Sequence, residues 1–321
     1  MTNTASQPLF ETIAFIGMGL IGSSMARRIK RDGLASKITC AVRSEATRDR
    51  VLELGIADEA YCDIKQAVGD ADLVMICAPV GANAAIGAQL SGVLKKGAIV
   101  SDVGSVKQSV IRDIAPHLDE GVHFVPGHPL AGTEHSGPDS GFPELFEERW
   151  CILTPVPGES DVAIAKVRTL WEACGMHVEC MDADHHDRIL GITSHLPHLI
   201  AYTIVGTATD LEDALRQEVI KFSATGFRDF TRIAASDPTM WRDVFLNNRE
   251  AVLEVLGRFQ EDLMALQRAI RWGEGDKLFE LFSRTREIRR GIVDAGQYFT
   301  NFSAEGEDRK SDEAGKKKPI D

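Results

Sequence analysis

The stretch Gly127-His128-Pro129-Leu130-Ala131-Gly132-Thr133-Glu134-His135 places an imidazole where a helix cannot readily form. A residue before proline is pushed toward extended conformations, and the glycines at 127 and 132 free the flanking backbone for tight turns. His128 is thereby presented in one orientation, with the carboxylate of Glu134 close by in sequence. An imidazole held this way can exchange a proton near neutral pH, because its ordinary pKa is about 6.5. Ser105, in Gly104-Ser105-Val106-Lys107-Gln108, adds a hydroxyl; with Gln108 three residues on, it also has the pattern of a helix-capping box. Ser194-His195-Leu196-Pro197-His198 sets two histidines three apart, on one face of a helix. Pro197 should kink that helix and free the Thr193 carbonyl. Arg228 and Arg232 lie four apart. Beside a pocket such a pair binds a carboxylate bidentately, and elsewhere it makes surface ion pairs worth little. A zinc site built from His186, His195 and His198 is disfavoured, because the chain has neither a His-Glu-x-x-His signature nor a thiolate cluster. No metal is expected.

Apolar residues make up 44% of the 321 and charged residues 26%, ordinary values for a globular protein. The formal net charge of -12 argues against a nucleic-acid partner and requires a local basic cluster to draw in any anionic substrate. The 6 cysteines are scattered, without a Cys-x-x-Cys pair, as free thiols in a reducing cytoplasm would be. The first ten residues lack the basic start and apolar core of a signal peptide, and no apolar run is expected to approach a membrane span. A cytoplasmic protein is the expectation.

The elements that must position these residues follow from periodicity. Thr12–Ile16 reads as a buried parallel strand. It runs straight into Gly17-Met18-Gly19-Leu20-Ile21-Gly22 and then an amphipathic helix, Ser23–Arg31. A Gly-x-Gly-x-x-Gly turn between strand and helix allows close backbone approach and offers helix amides to a pyrophosphate. Gly17, Gly19, Leu20, Ile21 and Gly22 are therefore expected to bind a dinucleotide cofactor, NAD or NADP. At the end of the next strand, Lys37–Val42, the place of an acid that would bind a ribose hydroxyl is taken by Arg43-Ser44. Arginine there favours a 2'-phosphate, while Glu45 opposes it.

Further strands are expected at 72–80, 98–103 and 122–125, the last delivering His128 to the carboxyl edge of the sheet, where such folds build their sites. Strands at 151–154 and 176–181 should finish that sheet. Alternation of strand and helix thus gives an α/β domain over 1–181, a Rossmann-type doubly wound sheet. Residues 182–302 read as an all-α domain for substrate binding and dimerisation. Ser236-Asp237-Pro238 should start a helix. From Trp241 to Arg271, Phe245, Val252, Leu256, Phe259, Leu263, Leu266 and Ile270 form a coiled-coil-like seam, and a second helix over 276–298 packs along it. Part of the seam is expected to pair with another copy, making a homodimer. Residues 303–321 are charged and apolar-poor, the composition of a disordered tail.

With these motifs in order, the chain resembles the prephenate/arogenate dehydrogenase family over residues 12–300. The resemblance rests on the glycine turn 17–22, Asp102-Val103-Gly104-Ser105-Val106-Lys107, Gly127 to Glu134, Ser194 to His198, and Gly226 to Trp241. Residues 127–141 and 223–243 are similar to members that accept both prephenate and arogenate, the cyclohexadienyl dehydrogenases. The resemblance implies a catalytic His128 that takes the proton of the ring hydroxyl, with Ser105 beside it and the nicotinamide. It further implies Arg232 on the ring carboxylate, His198 on the substrate side chain and Glu134 at the entrance. Strictly NAD-using members have an acid where this chain has Arg43-Ser44. With only the tail after the helices, inhibition by tyrosine would act through competition at the active site.

Two other readings fit part of the pattern. A two-domain hydroxy-acid dehydrogenase shares the glycine turn, but relies on a lysine in the second domain for which no candidate appears. A non-catalytic dinucleotide sensor needs the turn but not His128, Ser105 and Arg232 together.

Overall fold

β1 runs from Phe10 to Ile16, apolar enough over its second half to be covered on both faces, as a central parallel strand must be. It lies between β2 (Ala35–Ala41) and β4 (Leu73–Ile76). β3 (Glu59–Tyr61) extends the sheet on one side; β5 (Ile99–Asp102) and β6 (His123–Phe124) extend it on the other. All pairings are parallel and the order is β3-β2-β1-β4-β5-β6, the doubly wound Rossmann-type order. The crossovers are made by α1 (Leu20–Asp32), α2 (Glu45–Glu53), α3 (Ile64–Val68), α4 (Asn83–Leu90) and α5 (Gln108–Ile114). Alternate residues of β1 enter different cores, as the two-residue period of a strand dictates. Ile13 and Phe15 pack with Met25, Ile29 and Met75, whereas Ala14 and Ile16 pack with Val74, Ile86 and Val100. This computed structural model describes residues 7–133, 135–209, 221–222 and 224–294.

The strands at 151–154 and 176–181 do not finish the parallel sheet. They appear as β8 (Trp150–Leu153) and β9 (His177–Cys180), parallel to each other and joined by α6 (Asp161–Ala173). β8 pairs antiparallel with β7 (Gly127–Pro129), forming a separate sheet of 3 strands. The β5 ladder ends at Val125, whose N–H reaches the Val100 carbonyl; Gly127 N–H turns to the Asp102 side chain instead, and on the other side the Pro126 carbonyl accepts from Thr154 N–H at 2.9 Å. His128 therefore sits in a short strand.

Helices follow β9. α7 (Ala183–Leu190) and α8 (Leu196–Thr209) form one run, joined by a π-type stretch at Gly191–His195. The wider turn falls just before Pro197, which cannot donate to the preceding turn. The carbonyl of Ser194 is bonded by His198 Nδ1 at 2.9 Å. One expectation is corrected here: Ala183–Thr209 spans 27 residues with a mean hydropathy of 1.3, long and apolar enough by length and composition to cross a membrane. Core helices of soluble proteins meet the same criterion, and this run carries the buried His186, Asp187 and His195.

α9 (Thr225–Thr231) leads into a 3-10 turn that carries Arg232. α10 (Pro238–Asn247) starts as expected, its N-cap Asp237 accepting from Met240 N–H. The single long helix expected from Trp241 is broken at Asn248, where α11 (Arg249–Trp272) begins. Asn248 turns its side chain inward to donate to the Asp187 carbonyl, a tertiary bond that periodicity does not reveal. α12 (Gly275–Asp294) is the last described element; the expected tail at 303–321 lies outside the described residues. The chain divides into two compact units, Met1–Arg258 and Phe259–Asp321. In the second, Leu263, Met264, Ile270, Trp272, Phe279, Phe282 and Ile288 are exposed.

Candidate active site

Between β1 and α1 the backbone turns through glycines that the packing requires. Gly17 has φ 95°, and a Cβ there would lie 2.7 Å from the Cys77 carbonyl oxygen. A Cβ on Gly22 would lie 2.6 Å from the Gly17 carbonyl oxygen. Gly19, the N-cap of α1, by contrast borders open space. No side chain caps this helix and its first turn holds no acid, so its amides and the positive end of its dipole are open to an anion. The turn fits the pyrophosphate of a dinucleotide. At the end of β2, Arg43 is exposed, while Ser44 is engaged as the N-cap of α2, accepting from Thr47 N–H at 3.2 Å.

His128 pairs with Ile152 across β7 and β8 and is only 7% exposed. Its Nδ1 lies 2.8 Å from Nε2 of His186, whose Nδ1 lies 2.8 Å from Oδ1 of Asp187. Asp187 also accepts the backbone N–H of Lys107 at 2.8 Å and of Gln108 at 3.0 Å. The start of α5 is thus capped from α7, and the capping box expected from Ser105 does not form. Lys107 is the N-cap, which leaves Ser105 two residues too far upstream. Lys107 is wholly buried; Nζ donates to Asp102 Oδ2 at 2.5 Å and to the Gly127 carbonyl at 2.7 Å. Asp102 further accepts the N–H of Gly104 and of Gly127. Gly127, the residue before His128, is therefore bonded at both its N–H and its carbonyl. Burial pushes the His128 imidazole well below its ordinary pKa, and His186, Lys107 and His195 add to the effect. Burial lowers His186 as well, with Asp187 opposing.

His195 is buried with its Nδ1 3.0 Å from Asn248 Nδ2, and burial pushes its pKa down to about 4. The Ser105 backbone lies beside this ring, outside hydrogen-bond geometry but close enough to favour its protonated form. The Trp241 indole meets His195 edge-on at 6.0 Å and stacks on His198 at 3.6 Å. His195 Nε2 and Trp241 Nε1 are buried without a hydrogen-bond partner among the described residues. Burial lowers the His198 pKa, and the charge of Arg232 lowers it further. A continuous set of contacts thus links His128, His186, Asp187, Asn248, His195 and Trp241 to His198, with Ser105 and Arg232 alongside. Glu134 lies outside the described residues.

The chain matches the families described as "Prephenate dehydrogenase, nucleotide-binding domain" over residues 25–180 and "Prephenate dehydrogenase, dimerization domain" over residues 182–284. The chain belongs to the prephenate dehydrogenase family. It is 44% identical to the cyclohexadienyl dehydrogenase of Zymomonas mobilis, over 88% of this chain and 97% of that relative. It is similar to the crystal structure of Aquifex aeolicus prephenate dehydrogenase in complex with hydroxyphenyl propionate and NAD+ (TM-score 0.81, 34% identity, 88% of this chain and 98% of that one). Synechocystis arogenate dehydrogenase is also similar (TM-score 0.74, 26% identity, 88% and 99% covered). Membership makes the protein an NAD(P)-dependent oxidoreductase, in keeping with the fit of the glycine turn.

The partners of His128 lie far from it in the chain and carry little signal in the sequence. From sequence, His186 enters only as a disfavoured zinc ligand, and Asp187 does not enter. Asp102 and Lys107 are two charges bracketing a Gly-Ser turn. The available signal was an acid closing the apolar strand 98–103, a position that a parallel sheet buries.

Proposed function

We propose that the chain is a cyclohexadienyl dehydrogenase of tyrosine biosynthesis, converting prephenate to 4-hydroxyphenylpyruvate and arogenate to tyrosine by oxidative decarboxylation with NAD or NADP. The observation that carries this reading is the buried His128, held through Nδ1 at the sheet edge that also carries the glycine turn. Bound at Gly17, Gly19, Leu20, Ile21 and Gly22, the nicotinamide cofactor supplies the hydride acceptor. His128 Nε2 accepts the proton of the ring hydroxyl, and Ser105 stands beside that hydroxyl. Arg232 binds the ring carboxylate as a guanidinium fork. His198, held flat against Trp241, contacts the substrate side chain. Loss of carbon dioxide leaves an aromatic ring, so the chain's task is alignment rather than strain. The working division is a dinucleotide-binding domain over 1–181 and a helical substrate domain over 182–302. The protein acts as a homodimer in the cytoplasm.

Incubation with prephenate or arogenate and either cofactor should produce reduced nicotinamide absorbance; absence of turnover with both substrates overturns the reading. His128→Asn should fold and bind cofactor, with kcat down ~100- to 10,000-fold, the usual contribution of a positioned acid–base group. Near-normal kcat with a greatly raised KM would make His128 a binding residue.

A further inference from the structure

We propose that His186 and Asp187 are positioning residues that hold His128 with its proton on Nδ1, so that Nε2 is bare when substrate arrives. This rests on the reading of His128 as the base. Hydrogen-bond accounting carries it. The two oxygens of Asp187 accept the backbone N–H groups of Lys107 and Gln108. A carboxylate only accepts, so His186 Nδ1, 2.8 Å from Oδ1, must carry a hydrogen. A neutral imidazole protonated on Nδ1 has its lone pair on Nε2. That lone pair faces His128 Nδ1 at 2.8 Å, and the contact is a hydrogen bond only if His128 Nδ1 is the donor. Neutral His128 then has no hydrogen on Nε2.

The surroundings keep both rings neutral at rest. His128 faces His186, the Lys107 ammonium and His195; His186 faces Lys107, Asp187 and Asp102. Lys107 opposes a second positive charge on either ring, and burial acts the same way. Once Nε2 has taken the hydroxyl proton, the imidazolium still donates Nδ1–H to His186, which Asp187 polarises from behind. Asp187 therefore performs two tasks. It caps α5, a structural role, and it sets the polarity of the histidine pair.

Asp187→Asn acts on both. With the asparagine oxygen kept on Gln108 N–H, its NH2 faces His186 Nδ1 and reverses the polarity of both rings, at the cost of the Lys107 N–H bond. A comparable change in serine-protease triads, which leaves geometry intact and sets the wrong tautomer, costs about 10,000-fold in kcat. Acting through His186, the loss here should be ~100- to 10,000-fold in kcat, with KM values for substrate and cofactor within about threefold of wild type. A purely structural role would instead lower stability and raise KM, leaving the tautomer of His128 unchanged. That tautomer is read directly by long-range 1H–15N NMR of the wild-type dimer at neutral pH, the His128 ring signals being those missing in His128→Asn. The expected result is a protonated Nδ1 and a bare Nε2, reversed or mixed in Asp187→Asn. Wild-type His128 with its proton on Nε2, or an Asp187→Asn enzyme with normal kcat, overturns the proposal. If Asp187→Asn does not fold, the wild-type spectrum alone decides. The spectrum needs no turnover, so a protein inactive on both substrates would defeat the proposed function while the tautomer is still tested.

Discussion

Lys107→Met tests what fixes the peptide before His128. Lys107 is wholly buried, and its Nζ reaches Asp102 Oδ2 at 2.5 Å and the Gly127 carbonyl at 2.7 Å. Burial pushes Asp102 up and Lys107 down in pKa, and their mutual attraction opposes both shifts. Methionine fills nearly the same space, so little packing is lost. The cost lies in the carboxylate left behind: only the N–H groups of Gly104 and Gly127 remain to it, and the Gly127 carbonyl loses its donor. Removing one member of a buried pair costs about 3–5 kcal/mol, a large share of the 5–15 kcal/mol that holds a typical domain together. Urea unfolding at fixed protein concentration should show this loss. Asp102→Asn combined with Lys107→Met should be less destabilised than Lys107→Met alone, because no charge is then stranded. The single variant should also lose kcat, since the 127–128 peptide is no longer anchored. A Lys107→Met protein within ~1 kcal/mol of wild type, or a double variant whose losses simply add, would refute the reasoning.

Acid should destabilise the fold before its carboxylates titrate. His195 is held near pKa 4 by burial, below an unfolded value of about 6.5, so the unfolded chain binds more protons between these values. Stability is full above about pH 6.5 and should fall by ~3 kcal/mol from this residue as pH drops to about 4, measurable by urea midpoints. For Arg43→Ala, kcat/KM with NADP should fall while the value with NAD holds; an intact NADP value means that Arg43 does not contact the 2'-phosphate. The exposed apolar residues of the last two helices should make the protein a dimer at micromolar concentration by sedimentation, and Phe279→Glu with Phe282→Glu should shift it toward monomer; a wild-type monomer removes the proposal.

What could be read from the sequence was local. The glycine turn is defined by neighbours in the chain, and both Gly17 and Gly22 prove to need their missing Cβ. Asp237 caps the helix that follows it, because caps act over three residues. His128 was placed at the sheet edge by the strand before it. The failures share one cause, partners far away in sequence. Asp187 reaches back 80 residues to cap α5, so the local Ser105 box was outcompeted by a stronger charged acceptor. Asn248 bends into the core to reach Asp187 and His195, and so breaks a seam whose spacing continues past it. The strand at 151–154 pairs with β7, where the parallel ladder has ended because Gly127 N–H turns to the distant Asp102 side chain.

The buried polar set around His128 is hard to explain by stability. Asp102, Lys107, His186, Asp187, His195 and Asn248 are each under a tenth exposed, in a place where apolar side chains of similar volume would pack as well or better. What such a set supplies is directional constraint. Lys107 and Asp102 fix the peptide before His128, and Asp187 and His186 engage its ring through Nδ1. Asn248 ties the same Asp187 to His195, whose ring borders the Trp241–His198 stack. Elements that periodicity reads separately, the sheet edge, α7 and the end of α10, are joined there by hydrogen bonds as well as by the apolar contact of Val106 with Trp241 and Val244. A base that must meet a hydroxyl at one angle, while a carboxylate is held elsewhere on the same ring, needs that kind of joint. Apolar packing leaves ring orientation and tautomer unspecified, whereas a chain of donors and acceptors specifies both.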